Sequence, residues 1–166
     1  MASKELITAE RLRELMHYDP ETGQFTRLVA LPGHPAGRRL GALLQNGYLA
    51  VRINYVLYLS HRLAWLWMTG EWPKGLLDHR NRDKADNRWS NIRPATRGQN
   101  AYNSTIRCDN TSGFKGVSSH TGGRWRASIQ INGFQRHVGT FDTVEEAAEA
   151  YRAVAIPSHG EFARFK

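Results

Sequence analysis

Residues 77–93 read LDHRNRDKADNRWSNIR, and this short stretch decides which fold the sequence predicts. It places Asp78 beside His79 at the end of an apolar run; Asn91 follows His79 by twelve residues, and Asn100 follows Asn91 by nine. An aspartate next to a histidine can hold a divalent metal and take a proton from water. The arginines of the stretch add positive charge that attracts a polyanion. The stretch therefore predicts a site that cuts phosphodiester bonds.

The composition of the whole chain agrees with a polyanionic partner. The chain has 166 residues, 40% of them hydrophobic, and its 23 lysines and arginines exceed its 15 acidic residues to give a net charge of +8. Such an excess favours nucleic acid as the partner, although a basic but inert surface explains charge alone equally well. The length allows one ordinary domain or two small ones.

Cysteine usage and apolar runs restrict the cellular setting. Cys108 is the single cysteine, so the sequence excludes an internal disulfide and a zinc site built from cysteine pairs. The first residues lack the long apolar run of a secretory signal, and the longest apolar cluster, residues 63–68, is too short to span a bilayer. We therefore expect a cytoplasmic protein without membrane association.

Apolar periodicity and turn residues predict an α+β fold for the first part of the chain. Thr8 is expected to cap a helix running to Met16, and Ser60 to cap a second helix that stops at Gly70. A third helical stretch is predicted from Thr96 to about Ser104. The predicted strands are short, at 24–28, 48–53, 55–59 and 76–79.

Several motifs around the Asp-His pair point to one family. They are HRLA at 61–64, NRWSNIR at 87–93, and then Thr96, Asn100 and Asn103, with the leader YDPETG at 18–23. Together they resemble the HNH homing-endonuclease family common in phages, the ββα-metal nucleases. The resemblance implies a metal-dependent DNA endonuclease encoded by a phage and acting in the cytoplasm of a bacterial host.

The resemblance also implies a role for each position of the motif. His79 would be the general base that takes a proton from the attacking water, and Asn91 would hold the loop and so orient His79. Asp78 and Asn100 would bind one divalent ion per active site, Mg²⁺ or Mn²⁺, because hard oxygen ligands suit these ions better than zinc. Adjacent strand residues point to opposite faces, so the Asp-His pair must sit where the strand bends into a loop.

Structural explanations compete with some of these roles. Asn91 and Asn100 could be caps or turn residues, and Asn91 could act structurally while still serving the site. His61 reads as a packing residue or hydrogen-bond anchor, and Trp65 and Trp67 read as core or edge packing.

The last third of the sequence has a pattern of its own. Residues 105–111 are poor in apolar residues and read as a linker between a nuclease domain at 1–104 and a module at 112–166. Strands are predicted at 116–118, 124–131 and 134–141, the last two joined by a two-residue turn at Asn132 and Gly133. Thr143 and Glu146 form a capping box that opens a helix. The module is thus a small three-stranded antiparallel sheet packed on one helix.

The motifs of this module are GFKGV at 113–117, RWRASI at 124–129, GTFDTVEEAAEAY at 139–151 and GEFA at 160–163. They resemble the AP2/ERF DNA-binding domain, in which a three-stranded sheet enters the major groove of DNA. Strand alternation leaves a polar face open, and a merely solvated face is the alternative. The positions expected to touch DNA are Lys115, Ser118, His120, Arg124, Arg126, Ser128, Gln130, Gln135 and His137.

The sequence therefore predicts an endonuclease that hydrolyses or nicks double-stranded DNA and holds its target with the AP2-like module. One active site cuts one strand, so cleavage of both strands would call for a homodimer or a second encounter. The alternatives are a DNA-binding regulator with a catalytically inert HNH fold and an RNA-binding protein.

Overall fold

Short antiparallel strands make up most of the regular secondary structure in the first part of the chain. The computed structural model describes residues 6–165 and separates into two units, the first ending at Ala95 and the second beginning at Thr96. The first unit consists of α1 (Ala9–Leu15), β1 (Met16–Asp19), β2 (Gln24–Arg27), β3 (Arg39–Leu40), β4 (Ala42–Leu43), β5 (Leu49–Ile53), β6 (Val56–Leu59), α2 (Ser60–Thr69), β7 (Leu76–His79) and β8 (Ile92–Ala95). These strands form three antiparallel sheets, in the orders β1-β2-β3, β4-β5-β6 and β7-β8.

The first helix and strand follow from local capping and pairing. The side chain of Thr8 accepts a hydrogen bond from the Arg11 N–H at 3.2 Å, so the predicted cap of α1 is confirmed. The helix stops at Leu15, one residue before the predicted end. Met16 instead begins β1, because residues 16–19 pair with β2 in a regular antiparallel register. Pairing with the next strand, across the turn at residues 20–23, produces this strand, which its own sequence pattern does not predict.

The second helix begins differently from the prediction. Strand β6 runs directly into α2, so Leu59 occupies the cap position without a side-chain hydrogen bond and Ser60 is already helical. The prediction that Ser60 caps this helix was therefore wrong. Its predicted end is confirmed: Gly70 adopts a left-handed conformation at φ 82°, and its N–H bonds to the Leu66 carbonyl oxygen.

An apolar cluster of buried side chains holds the first unit together. Its largest fully buried side chains come from α1, β1, β2 and α2, and burying each stabilises the fold by about 1.5–3 kcal/mol. They are Leu12, Tyr18, Phe25, Leu63 and Leu66. Trp65 and Trp67 pack against this cluster and are partly buried, as the sequence predicts.

The second unit contains α3 (Arg97–Asn103), β9 (Val117–Ser119), β10 (Trp125–Ile131), β11 (Phe134–Phe141) and α4 (Val144–His159). The strands form one antiparallel sheet in the order β11-β10-β9, and α4 packs on all three of them. The core between sheet and helix includes Val117, Ala127, Ile129, Ala147 and Tyr151. Helix α3 belongs to this unit, whereas the sequence-based division assigns it to the domain at 1–104. The division into a nuclease domain at 1–104 and a module at 112–166 stays a prediction.

Capping and turn chemistry fix the ends of the elements in the second unit. The capping box of Thr143 and Glu146 is confirmed at the start of α4, and Thr96 with Gln99 forms another at the start of α3. In the β10–β11 turn, Asn132 and Gly133 both have positive φ, at 52° and 85°, as a type I′ hairpin requires. A bulge shifts the register by one, so that Ala127 faces Gly139 while Ser128 faces His137.

No helix among residues 6–165 is long and apolar enough to cross a membrane.

Candidate active site

The β7–β8 hairpin positions the Asp-His pair. Asp78 lies opposite Arg93 and His79 opposite Ile92 in the antiparallel register. His79 is the last residue of β7, and the chain turns away from the strand immediately after it. The pair therefore stands where a strand ends in a loop, which is the position that the sequence requires for both side chains to serve one site.

Asp78 is buried in an ion pair that the sequence does not predict. The Nε of Arg93 donates a hydrogen bond of 2.9 Å to Oδ2 of Asp78, and the Nη2 of Arg93 lies 2.8 Å from the same oxygen. Both side chains are at most 5% exposed. The guanidinium balances the buried carboxylate and fixes its orientation. Arg93 is part of the NRWSNIR motif, but only the strand register shows that it faces Asp78.

His79 is held by a side chain that sequence reasoning missed. Its Nε2 lies 3.1 Å from Oδ1 of Asn87, and the amide Nδ2 of Asn87 donates to the Ala85 carbonyl oxygen at 3.1 Å. His79 is 5% exposed and Asn87 is 1% exposed. The sequence contains Asn87 four residues before Asn91, and spacing alone does not say which amide reaches the histidine.

Asn91 stabilises the loop between β7 and β8 through hydrogen bonds of its side chain. Its Nδ2 donates to Oδ1 of Asn81 at 2.9 Å and to the Asp86 carbonyl oxygen at 2.7 Å. Its Oδ1 accepts the Asn81 N–H at 3.0 Å. These bonds tie the residues after His79 to the start of β8, so Asn91 supports the shape of the loop that holds the site.

The acidic residues of the loop are engaged in its own hydrogen bonds. Asp83 accepts the Ala85 N–H at 2.9 Å in a local turn. Asp86 receives two bonds from the Arg88 guanidinium, at 2.8 and 2.6 Å, and these bonds lower the pKa of the Asp86 carboxyl. Both residues thus shape the loop.

The His61 ring packs against the His79 ring. The two rings meet edge to face with centroids 5.0 Å apart, and the Tyr48 ring lies 5.2 Å from His61. Burial, followed by the neighbouring His79 and Arg62 charges, lowers the pKa of His61 from its usual value to about 3. His61 therefore stays neutral at physiological pH and packs against His79 without adding charge.

The predicted metal ligands lie in different units of the structure. Asp78 is on β7, whereas Asn100 is exposed on α3 in the second unit. Within residues 6–165, no group of three or more His, Cys, Asp or Glu side chains is arranged to hold a metal. A carboxylate and an amide oxygen are hard donors, so their chemistry fits Mg²⁺ or Mn²⁺, ions that keep several waters when bound. The metal pair stays a prediction.

Six of the nine predicted DNA-binding residues share one face of the sheet in the second unit. The register pairs Ser118 with Arg126, Ser128 with His137 and Gln130 with Gln135, and paired residues project to the same side of a sheet. Apart from Lys115 and Ser128, which are half-buried, the predicted residues are exposed: Ser118, His120, Arg124, Arg126, Gln130, Gln135 and His137.

Several of these side chains also bond to protein groups, among them those of Lys115 and Arg124. The Lys115 Nζ donates to the carbonyl oxygens of Ala101, Tyr102 and Ser104 at 2.7–3.1 Å, at the C-terminal end of α3. This contact satisfies carbonyls that a helix end leaves unpaired. Arg124 pairs with Asp142 at 3.0 Å. Lys115 thus has a structural role that its predicted DNA contact did not include.

Comparisons with known proteins agree with the motif. A family model described as HNH endonuclease matches residues 58–102. The chain is 33% identical to protein 3.8 of Escherichia phage T7 over 108 residues, which is 64% of this chain and 88% of that protein. It is 33% identical to an uncharacterized HNH endonuclease of Acanthamoeba polyphaga mimivirus over 145 residues, 87% of this chain and 68% of that protein.

A further relative matches only the end of the chain. An ethylene-responsive transcription factor of Arabidopsis thaliana is 50% identical over 56 residues, which is 32% of this chain and 22% of that protein. No solved structure matches the chain. With the motif at residues 58–102 and two viral relatives that it covers over most of their length, the chain belongs to the HNH endonuclease family, whose members are nucleases that act on DNA.

Proposed function

We propose that this chain hydrolyses a phosphodiester bond of DNA, with His79 as the general base that takes a proton from the attacking water. The observation that carries the proposal is the position of His79. His79 is the last residue of β7 and follows the buried Asp78. Both residues lie inside the segment that the HNH family model matches. A histidine held by its neighbours in one orientation is well suited to remove a proton from a water placed beside it.

Asp78 and Asn100 would hold one Mg²⁺ or Mn²⁺ ion in this proposal, and Arg93 would keep the Asp78 carboxylate in its orientation. A bound ion would stabilise the negative charge that develops on the phosphate and on the leaving 3′ oxygen. Asn91 would serve the reaction indirectly, because its three hydrogen bonds fix the loop that follows His79.

The second unit would hold the target DNA through the polar face of its sheet. Support comes from the exposed side chains of β9, β10 and β11 and from the match of this segment to a plant transcription factor. Arginine, glutamine, histidine and serine can bond both to phosphates and to base edges. The proposal assigns DNA affinity mainly to this unit and cleavage to the β7–β8 hairpin.

Cleavage of a supercoiled plasmid library with Mg²⁺ or Mn²⁺ tests the proposal, with sequencing of the cut ends to find the target. We expect the wild type to give nicked circles and His79→Ala to give none, while the exposed His34→Gln retains activity. If neither wild type nor variant cuts although both bind DNA, the chain is a DNA-binding regulator with an inert nuclease fold. Equal cutting by wild type and His79→Ala would refute the assignment of the base.

The metal pair is tested separately by calorimetric titration of Mn²⁺. We expect Asp78→Ala and Asn100→Ala each to weaken binding at least tenfold. Asn100 is exposed on α3, so its replacement should leave the unfolding midpoint unchanged and is the cleaner of the two variants. Unchanged Mn²⁺ affinity in both variants would contradict this ligand pair.

A further inference from the structure

We propose that Asn87 is the positioning residue that decides which ring nitrogen of His79 carries the proton. The inference rests on the proposed function, because it concerns the same histidine. It goes further in naming the nitrogen that acts as base, Nδ1, and the side chain responsible. The family resemblance gives the orienting role to Asn91. Asn91 holds the loop after His79, whereas the amide that contacts Nε2 of His79 belongs to Asn87.

The direction of the hydrogen bonds follows from the chemistry of the atoms around Asn87. The Ala85 carbonyl oxygen can only accept, so the amide nitrogen of Asn87 must face it, as the 3.1 Å bond shows. The amide oxygen Oδ1 then faces His79, where it also can only accept. The Nε2 atom, 3.1 Å away, must therefore be the donor, and in the neutral ring the lone pair belongs to Nδ1.

The position of Asn87 is itself enforced by the leader turn at residues 18–23. The hydroxyl of Tyr18, which is fully buried on β1, donates to the Asn87 carbonyl oxygen at 2.6 Å. The Trp89 N–H donates to the Pro20 carbonyl oxygen at 2.9 Å. Gly23 packs so closely against Asn87 that a Cβ there would overlap its backbone. The YDPETG motif thus has a physical role, because its contacts fix the position of Asn87, which orients His79.

Burial makes this arrangement effective. Asn87 is 1% exposed, so water does not easily replace its amide as the partner of Nε2. A histidine whose tautomer is not fixed divides its population between two forms, and in only one of them is Nδ1 unprotonated and able to act as the base. Fixing the tautomer before the substrate arrives is a form of preorganisation that raises the rate of the chemical step without changing DNA affinity.

The test uses nitrogen NMR of the histidine rings in the full chain, together with single-turnover cleavage. We expect wild-type His79 to carry its proton on Nε2. Asn87→Asp loses the donor to the Ala85 carbonyl oxygen but keeps an acceptor for Nε2, so it should retain this tautomer. Asn87→Leu has a similar volume but no acceptor, so it should show both tautomers and cleave on the order of a hundredfold more slowly. DNA affinity should be unchanged in Asn87→Leu, which alters no charge, and His34→Gln, an exposed histidine, is the matched control.

The outcomes separate this inference from the proposed function. A wild-type His79 protonated on Nδ1 overturns the inference even if Asn87→Leu fails to fold. The same holds if Asn87→Leu folds and keeps both the Nε2–H signal and the wild-type rate while His79→Ala is inactive. If His79→Ala cleaves as fast as wild type, the proposed function fails first, and the ring spectra still report whether Asn87 sets the tautomer.

Discussion

Arg93 and Asp78 face each other across the β7–β8 pair, joined by a hydrogen bond of 2.9 Å between Nε and Oδ2 inside the protein. A buried carboxylate is strongly destabilising without a compensating charge, so this pair makes the candidate site part of the fold itself. The carboxylate that the family resemblance assigns to the metal is thereby held rigid before any ion arrives.

The first prediction concerns this pair. Replacing Arg93 with methionine leaves the Asp78 charge buried and uncompensated, and should lower the free energy of unfolding by about 3–5 kcal/mol. Urea unfolding measures the loss. The double variant Arg93→Met with Asp78→Asn removes both charges and should recover most of the stability. If the double variant is no more stable than the single one, the guanidinium is not compensating the carboxylate.

The second prediction concerns pH. The pKa of His61 is lowered to about 3 in the folded protein and is close to its usual value in the unfolded chain. Between these values the unfolded chain takes up a proton that the folded one does not, so stability falls as pH drops below about 6.5. One proton corresponds to about 1.4 kcal/mol of unfolding free energy per pH unit.

Urea midpoints at several pH values between 7 and 4 check this dependence. His61→Gln removes the group, and the difference in slope between wild type and variant isolates its contribution from that of the carboxylates. We expect the wild type to lose stability more steeply on acidification. Parallel curves for the two proteins would mean that folding does not lower the pKa of His61.

Much of the site follows from sequence, and the remainder depends on long-range pairing. Strand β7 and helix α3 are predicted because an apolar run and a Thr cap are local signals. Strand β8 is not predicted, because it contains Pro94 and exists only as the edge partner of β7. Which amide meets His79 depends on how the loop of residues 80–91 folds back, and neither Asn87 nor Asn91 carries that information in its spacing.

The third prediction compares two glycines with the same backbone conformation. Gly23 and Gly33 have φ of 72° and 73°, so an alanine costs about 1 kcal/mol of backbone strain at either position. At Gly23 the new Cβ would also overlap the backbone of Asn87 and Arg88, whereas at Gly33 no atom lies within 4 Å. Gly23→Ala should therefore destabilise the protein by several kcal/mol more than Gly33→Ala.

Thermal or urea unfolding of the two alanine variants provides the measurement. The fraction of Gly23→Ala protein that folds should also cleave DNA at a reduced rate, since the leader turn positions Asn87, the partner of His79. Equal stability losses at the two positions would show that the turn yields to the extra methyl group and does not hold Asn87 in place.

The last prediction concerns the sheet of the second unit. Arg126 is exposed on β10 and pairs with Ser118, on the face predicted to meet DNA. Arg136 is also exposed, but it pairs with Ile129, whose side chain points into the core beneath α4, and so belongs to the opposite face. Both substitutions to alanine remove one positive charge, so a nonspecific effect of net charge would be the same for each.

If the polar face binds phosphates, Arg126→Ala should weaken DNA binding several-fold and reduce the slope of log affinity against log salt by about one, while Arg136→Ala changes neither. Fluorescence anisotropy over a salt series measures both quantities, and equal losses for the two variants would place the DNA elsewhere than on this face.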